Sequence, residues 1–347
     1  MTIRAICVIH LNQIGDLVFS LPLLYALREN FPDAVIHCVV KPYLRGLLEH
    51  SPYVDAVLLR TSGLRERVRL IREIRRSRYD MLISLSESEE CLLLTALSNA
   101  RLKAGFSRFP WDAALHIKER VEGHHGWYNN RKLLRKLNVR IVKDDYVGLL
   151  HFSQDRPISG KDPVRPVLPD RCVIIAPGTS PRRRMKAWAN GKFADVAIQL
   201  HRRYGLHPVL VGGADNRVVN ARIAEMIKVN AADGIQIVDA TDEVDLPGLC
   251  RVISHAELYV GIDSGLMHLA AALDIPVVGI FGPTDPFFVG PQNSRSIVVR
   301  KEDLPCVPCY LKGCPDRECL ANLGADAVMD ACERLLGSST MRSDAKD

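Results

Sequence analysis

The segment Leu258–Pro286 constrains the fold of this chain most, because two short apolar runs flank an Ala- and Leu-rich stretch there. The runs have the composition of buried strands and the stretch that of a short helix, which predicts a βαβ unit of a parallel sheet. Asp263 lies where the first strand gives way to the helix, and a polar turn at 282–286 follows the second strand. Ligands of open parallel sheets bind beyond the carboxyl ends of the strands, so we expect both turns to line one pocket.

The junction after the first of these strands has the features of an anion site. Ser264 and Gly265 form the first turn of the predicted helix, where free N–H groups and the positive end of the helix dipole point outward. His268 follows Asp263 by just over one helical turn on a mostly apolar helix. Such a histidine is either a hydrogen-bonded core residue or a ligand contact, and its closeness to Asp263 favours contact.

Length and composition predict a soluble protein of two domains. A chain of 347 residues exceeds the usual single domain, and its 47% hydrophobic and 25% charged residues are ordinary for a globular protein. No apolar run reaches the ~18 residues of a membrane span, and the first residues do not resemble a secretory signal. We therefore expect a cytoplasmic protein, and its net charge of +6 favours an anionic partner.

The alternation of apolar strands and amphipathic helices predicts α/β domains with parallel sheets. Prolines and a Ser-Gly pair interrupt this alternation between Gly148 and Asp170, which indicates a linker. We predict a first domain over 1–155, a linker over 156–170, a second domain over 171–336 and a disordered tail over 337–347. The predicted strands and the main predicted helices are Ile3–Ile9, Leu17–Asn30, Val35–Val40, Ala56–Leu59, Leu64–Arg76, Asp80–Leu85, Cys172–Ala176, Lys192–Tyr204, His207–Val211, Arg217–Val229, Ile235–Asp239, Leu246–Ile253 and Val277–Phe281.

Asp16 is the best candidate for a general base in the first domain. It follows a glycine turn at the tip of the first strand and stands at the start of a helix. A helix N-terminus lowers the pKa of a carboxylate and keeps it ionised, so that it can accept a proton. The alternative is that Asp16 only caps its helix.

The turn at 177–180 and the basic residues after it form a second candidate anion site. Thr179 and Ser180 supply hydroxyls beside a glycine, and Lys186 follows three consecutive arginines. Donors and cations in this arrangement suit a diphosphate, although a solvated basic loop has the same composition. The chain contains neither Gly-x-x-x-x-Gly-Lys-Ser/Thr nor Gly-x-Gly-x-x-Gly, which argues against P-loop enzymes and dinucleotide-dependent dehydrogenases.

The predicted helix Leu64–Arg76 carries six arginines. Charge runs of this kind are usually the solvated face of a surface helix. The alternative is a basic surface that faces anionic lipid.

Four cysteines lie close together in a loop rich in proline and glycine. Their spacing, Cys306-x2-Cys309-x4-Cys314-x4-Cys319, would allow four thiolates to bind zinc or iron as a structural site. Free or paired thiols are the alternative. The spacing also resembles a zinc knuckle, which leaves RNA binding open, although few residues of the loop suit base or phosphate contacts.

Several motifs in the same order resemble the ADP-heptose:lipopolysaccharide heptosyltransferases of glycosyltransferase family 9. They are Asn12-Gln-Ile-Gly-Asp-Leu17, Pro177-Gly-Thr-Ser180, Lys186-Ala-Trp188, Asp263-Ser-Gly-Leu-Met-His268 and Phe281-Gly-Pro-Thr-Asp-Pro286. The resemblance covers nearly the whole chain, but alanine follows Trp188 where many relatives have proline. It implies a GT-B architecture, with two Rossmann-like, doubly wound parallel-sheet domains facing across a cleft.

The resemblance also implies a function and a set of site residues. The implied enzyme is an inverting, metal-independent transferase that moves heptose from ADP-heptose to an anionic glycolipid, the lipopolysaccharide inner core, at the inner leaflet of the cytoplasmic membrane. It implies no required cofactor, and nucleic acid is not an expected partner. The implied catalytic residues are Asp16 and Lys186, and the implied donor-binding residues are Thr179, Ser180, Lys186, Asp263, Ser264, Gly265 and His268, with Trp188, Asp215 and Thr284 as further candidates.

Two kinds of alternative function remain open at this point. Another nucleotide sugar could serve a related transferase or epimerase on the same scaffold. A glycan- or RNA-binding protein without catalysis is the alternative from a different class.

Overall fold

A computed structural model describes residues 2–124, 126–153, 167–231, 234–310 and 313–343. The chain divides into two compact units, Met1–Ser153 and Gln154–Asp347. Most of the predicted linker 156–170 lies outside the described residues, which include only 167–170 of it.

The first unit contains a six-stranded parallel sheet with the order β3-β2-β1-β4-β5-β6. Its core forms because strands β1 and β4 are apolar on both faces, as strands covered by helices on both sides must be. The elements are β1 (Ala5–His10), α1 (Ile14–Asn30), β2 (Val35–Val40), β3 (Ala56–Leu59), α2 (Leu64–Arg76), β4 (Met81–Ser84), α3 (Glu89–Leu97), β5 (Leu102–Phe106), β6 (Ile117–Glu119) and α4 (Trp127–Lys136), with 3-10 turns at Pro42–Leu47 and Trp111–Ala114.

The second unit contains another six-stranded parallel sheet, with the order β12-β11-β10-β7-β8-β9. Its central strands β7 and β10 are buried along their whole length. The elements are β7 (Cys172–Ala176), α5 (Asn190–Tyr204), β8 (His207–Leu210), α6 (Arg217–Asn230), β9 (Val238–Asp239), α7 (Leu246–Ser254), β10 (Leu258–Ile262), α8 (Gly265–Ala272), β11 (Val277–Ile280), α9 (Pro286–Val289), β12 (Ser296–Val299), α10 (Glu318–Ala321) and α11 (Ala325–Ser343), with 3-10 turns at Pro181–Lys186 and Ala214–Asn216.

Both sheets have the same connectivity, because the first, second and third strands of each unit run outward in one direction and the last three in the other. This is the doubly wound order of Rossmann-like domains, as the sequence predicted. The order reverses between β1 and β4 in the first unit and between β7 and β10 in the second. Ligands of such folds bind at this reversal, beyond the carboxyl ends of the strands.

Helix α11 runs to Ser343 and so includes residues 337–343, which were predicted to be a disordered tail. Among the helices that the structure describes, none combines the length and the apolar character needed to span a bilayer.

Candidate active site

Three turns at the carboxyl edge of the second sheet converge on Asp263. This residue follows β10, Thr284 follows β11, and Lys186 ends the 3-10 turn that follows β7. The Lys186 ammonium forms an ion pair with Asp263 Oδ2, and Thr284 Oγ1 donates a hydrogen bond of 2.6 Å to the same oxygen. The side chains of Lys186 and Asp263 are only 12% and 5% exposed. The structure therefore places three predicted donor-site residues in one buried polar cluster at the reversal of the strand order.

His268 lies on α8 behind this cluster and is 3% exposed. Burial lowers the pKa of its imidazole to about 4, and the nearby Lys186 cation adds to this effect while Asp263 opposes it. The imidazole is therefore uncharged at neutral pH. It can donate or accept a hydrogen bond there, but it supplies no positive charge for a phosphate.

The start of α8 provides backbone donors next to Asp263. Ser264 is the N-cap residue, with an extended backbone and a side chain that makes no capping hydrogen bond in the structure. The first N–H groups of this helix, from Gly265 onward, are thus available for an anion.

The turn after β7 is held by a residue that the sequence analysis did not identify. Asn216 donates from Nδ2 to the Thr179 carbonyl at 3.3 Å and accepts from the Gly213 N–H at 3.3 Å. A Cβ atom on Gly178 would lie 2.3 Å from the Asn216 side chain, so this close approach requires glycine at 178. Only the sheet order, which places β8 beside β7, brings these two turns together.

The remaining candidates of the second unit differ in exposure. Ser180 is exposed, Thr179 is half-buried and donates its hydroxyl to the Arg183 carbonyl, and Asp215 is exposed in the turn before α6. Trp188 instead lies in the core at 3% exposure, where its indole donates to the Leu323 carbonyl at 3.0 Å. This placement indicates that Trp188 anchors the end of the 3-10 turn Pro181–Lys186 to the core and does not face a ligand.

Asp16 lies in the first turn of α1, beyond the carboxyl end of β1. Its Oδ2 accepts a 3.1 Å hydrogen bond from the Gln13 N–H in a reciprocal capping arrangement. The capping role considered from the sequence is therefore present. A capping hydrogen bond does not exclude a role in proton transfer, because an ionised carboxylate has about four lone-pair sites.

Two cations that the sequence motifs did not indicate follow neighbouring strands beside Asp16. Lys41 follows β2 and Arg60 follows β3, and the ends of these strands pair in register. Burial lowers the pKa of Lys41, and the charge of Arg60 lowers it further, while Asp16 and Glu90 oppose these effects. Glu90 holds Arg60 through two hydrogen bonds of 2.8 and 2.5 Å. The edge of the first sheet thus combines a carboxylate with two positioned cations.

The cysteine-rich loop packs against the turn that follows β11. The N–H groups of Cys309 and Tyr310 donate to the Pro283 carbonyl at 3.0 and 2.9 Å, and the Asp285 N–H donates to the Tyr310 hydroxyl at 3.2 Å. Burial raises the pKa of the Cys319 thiol, and the other three loop cysteines raise it further. Within the described part of the chain, no three His, Cys, Asp or Glu side chains are grouped closely enough to hold a metal ion. The predicted zinc or iron site stays a prediction.

The sequence model of glycosyltransferase family 9 (heptosyltransferase) matches residues 67–319 of the chain. The chain belongs to glycosyltransferase family 9. It is a glycosyltransferase, as the resemblance of its motifs implied, and its two Rossmann-like units are those of the GT-B fold.

Several proteins are similar to this chain over most of their length. The chain is 27% identical to lipopolysaccharide heptosyltransferase 3 of Escherichia coli over 343 residues, which cover 94% of this chain and 97% of that protein. Among solved structures it resembles a family 9 glycosyltransferase of Veillonella parvula, with a TM-score of 0.78 and 22% identity over 97% of this chain and 99% of the other. It also resembles the E. coli ADP-heptose lipopolysaccharide heptosyltransferase II, with a TM-score of 0.76 and 22% identity over 97% and 100%.

Proposed function

We propose that this family 9 enzyme transfers heptose from ADP-heptose to the inner core of lipopolysaccharide, with inversion at the anomeric carbon. The buried cluster of Lys186, Asp263 and Thr284 carries the proposal, since it puts a lysine beside free helix N–H groups at the strand-order reversal. The names of the similar E. coli proteins support heptose, ADP and lipopolysaccharide as the substrates.

The leaving diphosphate would be stabilised by the second unit. Lys186 supplies the positive charge, and the N–H groups at the start of α8 supply hydrogen bonds as the ADP oxygen gains negative charge. Thr179 and Ser180 add hydroxyl donors from the turn after β7. Because Lys186 and the helix N–H groups offset part of the diphosphate charge, we propose that catalysis needs neither a metal ion nor another cofactor.

Asp263 acts on this site through Lys186. Its carboxylate pairs with the ammonium and keeps it at the strand ends. When the donor binds, its phosphate oxygens share this ammonium, while Thr284 still satisfies Asp263 Oδ2. The lysine is thus oriented before the substrate arrives, which reduces the reorganisation needed in the transition state.

Asp16 is the proposed general base. The acceptor hydroxyl oxygen forms a bond to the anomeric carbon while the bond from that carbon to the ADP oxygen breaks. The hydroxyl proton passes to Asp16, and ADP leaves with the bonding electron pair. A single displacement of this kind inverts the anomeric centre.

Lys41 and Arg60 are proposed to hold an anionic group of the acceptor beside Asp16. Both follow register-paired strands at the same edge, and Glu90 fixes the guanidinium of Arg60. Inner-core glycolipids are anionic, so the two cations would place an acceptor hydroxyl near the base. A lipid-linked acceptor implies work in the cytoplasm at the inner face of the cytoplasmic membrane.

A structural zinc or iron ion in the Cys306–Cys319 loop would lie outside this chemistry. Elemental analysis of the purified protein tests for it. One equivalent of metal, lost in a Cys309→Ser variant, would mean that the loop rearranges from the geometry described above.

The test of the proposed function is Asp16→Asn, which removes the carboxylate charge but keeps an oxygen that can accept from the Gln13 N–H. With ADP-heptose and a truncated lipopolysaccharide acceptor, we expect kcat to fall by roughly 10²–10⁴-fold while ADP binding is unchanged. Asp33→Asn is the matched control, because Asp33 is an exposed carboxylate of the same unit. Near wild-type turnover in Asp16→Asn would refute the base, release of another nucleotide would refute the donor, and a retained anomer would refute inversion.

A further inference from the structure

Helix α2 (Leu64–Arg76) presents a row of arginines to solvent. Four of its arginines stand at spacings of four, three and four residues, which places them along one face of a helix. All four are exposed, and they line a groove along the helix together with Glu66, Glu73 and Ser77. The row consists of Arg65, Arg69, Arg72 and Arg76.

The opposite side of α2 fixes the orientation of this arginine row. Leu70 and Ile74 are 4% and 1% exposed and pack into the same apolar cluster as Cys7 and Leu82 of the central strands. The helix therefore cannot rotate its arginines toward the core. The row is a permanent part of the surface of the first unit.

The charge of α2 is neutralised only in part by its neighbours. The helix has six arginines and two glutamates, a net charge of +4, whereas the whole chain has +6. Glu90 lies 3.5 Å from Arg67 and also binds Arg60. For the four arginines of the row, the residues that the structure describes provide no ion pair within 4 Å.

The length of the row favours an extended anionic surface over a single phosphate. Eleven residues separate its ends, which corresponds to roughly 16 Å along a helix axis, too far for one phosphate group to meet all four guanidinium groups. Guanidinium groups bind phosphate oxygens in a bidentate manner. Leu64, 78% exposed at one end of the row, adds an apolar side chain that can enter a lipid interface.

We propose that the arginine row of α2 docks the enzyme onto the anionic phospholipid headgroups of a membrane. The contact is mainly electrostatic and lies at the surface of the bilayer, because Leu64 is the one large apolar side chain that α2 exposes. It is separate from the donor site and goes beyond the proposed function, since it would hold for any sugar transferred. Each arginine should contribute roughly fivefold to the vesicle partition coefficient at low salt.

Sedimentation with vesicles tests the surface. Wild-type protein is expected to bind vesicles of phosphatidylglycerol and phosphatidylcholine, but not pure phosphatidylcholine, and to lose binding in ~0.5 M NaCl because salt screens the attraction. The variant with Arg65, Arg69, Arg72 and Arg76 all changed to Gln should bind roughly 600-fold more weakly at low salt, the product of four fivefold factors. A control with Arg135, Arg140, Arg222 and Lys228 all changed to Gln loses the same charge from other exposed positions, and should bind within about threefold of wild type if the row is specific.

Two more measurements separate membrane docking from other roles of the row. Inorganic phosphate at the same phosphate concentration as the vesicles should not release the protein, and release would indicate a site for isolated phosphate. Turnover with a delipidated, soluble acceptor should be equal in wild type and the row variant, whereas a loss would make the arginines acceptor contacts.

Equal vesicle binding by wild type and row variant, or no preference of wild type for anionic vesicles, would overturn the proposal. The Asp16→Asn variant should still bind vesicles, so failure of the proposed chemistry is recognised separately.

Discussion

The pairing of Lys186 with Asp263 is unusual at the residue scale, because both charges are almost fully withdrawn from water. Taking two ions out of water costs several kcal/mol, and the pair is tolerated only when further hydrogen bonds satisfy it. Thr284 provides one such bond to Asp263. A buried pair of this kind is weak evidence for stability alone. Its position at the strand-order reversal is consistent with the proposed function, in which it holds an ammonium group ready for phosphate.

Asn216 should act as a positioning residue for the turn that contains Thr179. Asn216→Ala removes two hydrogen bonds of a residue that is 8% exposed. We expect the KM for the donor to rise about tenfold with little change in kcat, together with a loss of about 1–3 kcal/mol in the free energy of unfolding. Steady-state kinetics at varied ADP-heptose measures the former. Asn230→Ala is the control, since the Asn230 side chain donates to the Met226 carbonyl at the far end of α6. An equal KM in both variants would contradict the role given to Asn216.

Gly178 offers a second test of the same contact. Gly178→Ala alone should impair donor binding because the new Cβ atom collides with the Asn216 amide. In the Asn216→Ala background that collision is absent, so the second substitution should cost less there. A double-mutant cycle of donor affinity measures the difference, and strictly additive effects would show that the two residues are not coupled.

The low pKa of His268 predicts a pH-dependent stability. The folded state binds a proton at His268 only near pH 4, whereas an unfolded histidine binds one near pH 6.5. The preference of the folded state for the neutral imidazole therefore contributes fully to the free energy of unfolding above about pH 6.5. This contribution falls as the pH drops toward 4, by about 3 kcal/mol in all. Urea unfolding of wild type and His268→Gln at pH 7.5, 5.5 and 4.5 measures it. The difference in the free energy of unfolding between these two proteins should change over this pH range. The control His50→Gln, at an exposed histidine, should follow wild type. Parallel pH profiles for all three proteins would exclude the lowered pKa of His268.

At the element scale, apolar periodicity was enough to predict the central strands. β2, β3 and β7 have the predicted bounds, and β10 and β11 with α8 form the predicted βαβ unit. Buried parallel strands are continuous apolar runs, so their ends are visible in the sequence. β9 is shorter than the predicted 235–239 because this edge strand pairs through only two residues of β8.

Other parts of the site depend on neighbours that the sequence does not reveal. β5 went unpredicted because Leu102–Phe106 contains a lysine and a glycine and has no apolar run. Asn216 bonds to Thr179 because β7 and β8 are adjacent in the sheet. Lys41 lies near Arg60 because β2 and β3 pair in register. Trp188 is the opposite case: its place in a motif near Lys186 suggested a ligand contact, whereas the side chain lies in the core.

The cysteine-rich loop should influence the donor site through the turn after β11. Tyr310→Phe removes the hydroxyl that accepts from the Asp285 N–H, next to Thr284. A neutral hydrogen bond is worth about 0.5–1.5 kcal/mol, so we expect a rise of roughly two- to tenfold in the KM for the donor with kcat nearly unchanged. Tyr128→Phe is the control, because its hydroxyl bonds an exposed glutamate of the first unit. A change in kcat without a change in KM would place Tyr310 outside donor positioning.

At the scale of the whole molecule, the two units repeat one strand order without a visible repeat in sequence. Each unit therefore has a reversal point of its own, and the chain places different chemistry at each. The reversal point of the first unit has the Asp16 carboxylate with two cations, Lys41 and Arg60. That of the second unit has the buried ion pair of Lys186 and Asp263 beside a helix N-terminus. This division predicts that the nucleotide and the acceptor bind to separate units of the chain.

Hydrogen exchange in the presence of ADP tests the division. ADP at 100 times its Kd should stabilise the unit that binds it by about 2.7 kcal/mol, which slows exchange wherever amides open through unfolding of that unit. We expect protection of peptides that cover the turns 177–186, 212–216, 263–268 and 283–285, while peptides from β1 and α1 exchange as in the free protein. Lys186→Ala should abolish the protection at equal ADP, since it removes the cation proposed for the diphosphate, whereas Lys228→Ala on the exposed face of α6 should not. Protection confined to peptides around Asp16 would instead put the nucleotide on the first unit and reverse the roles of the two reversal points.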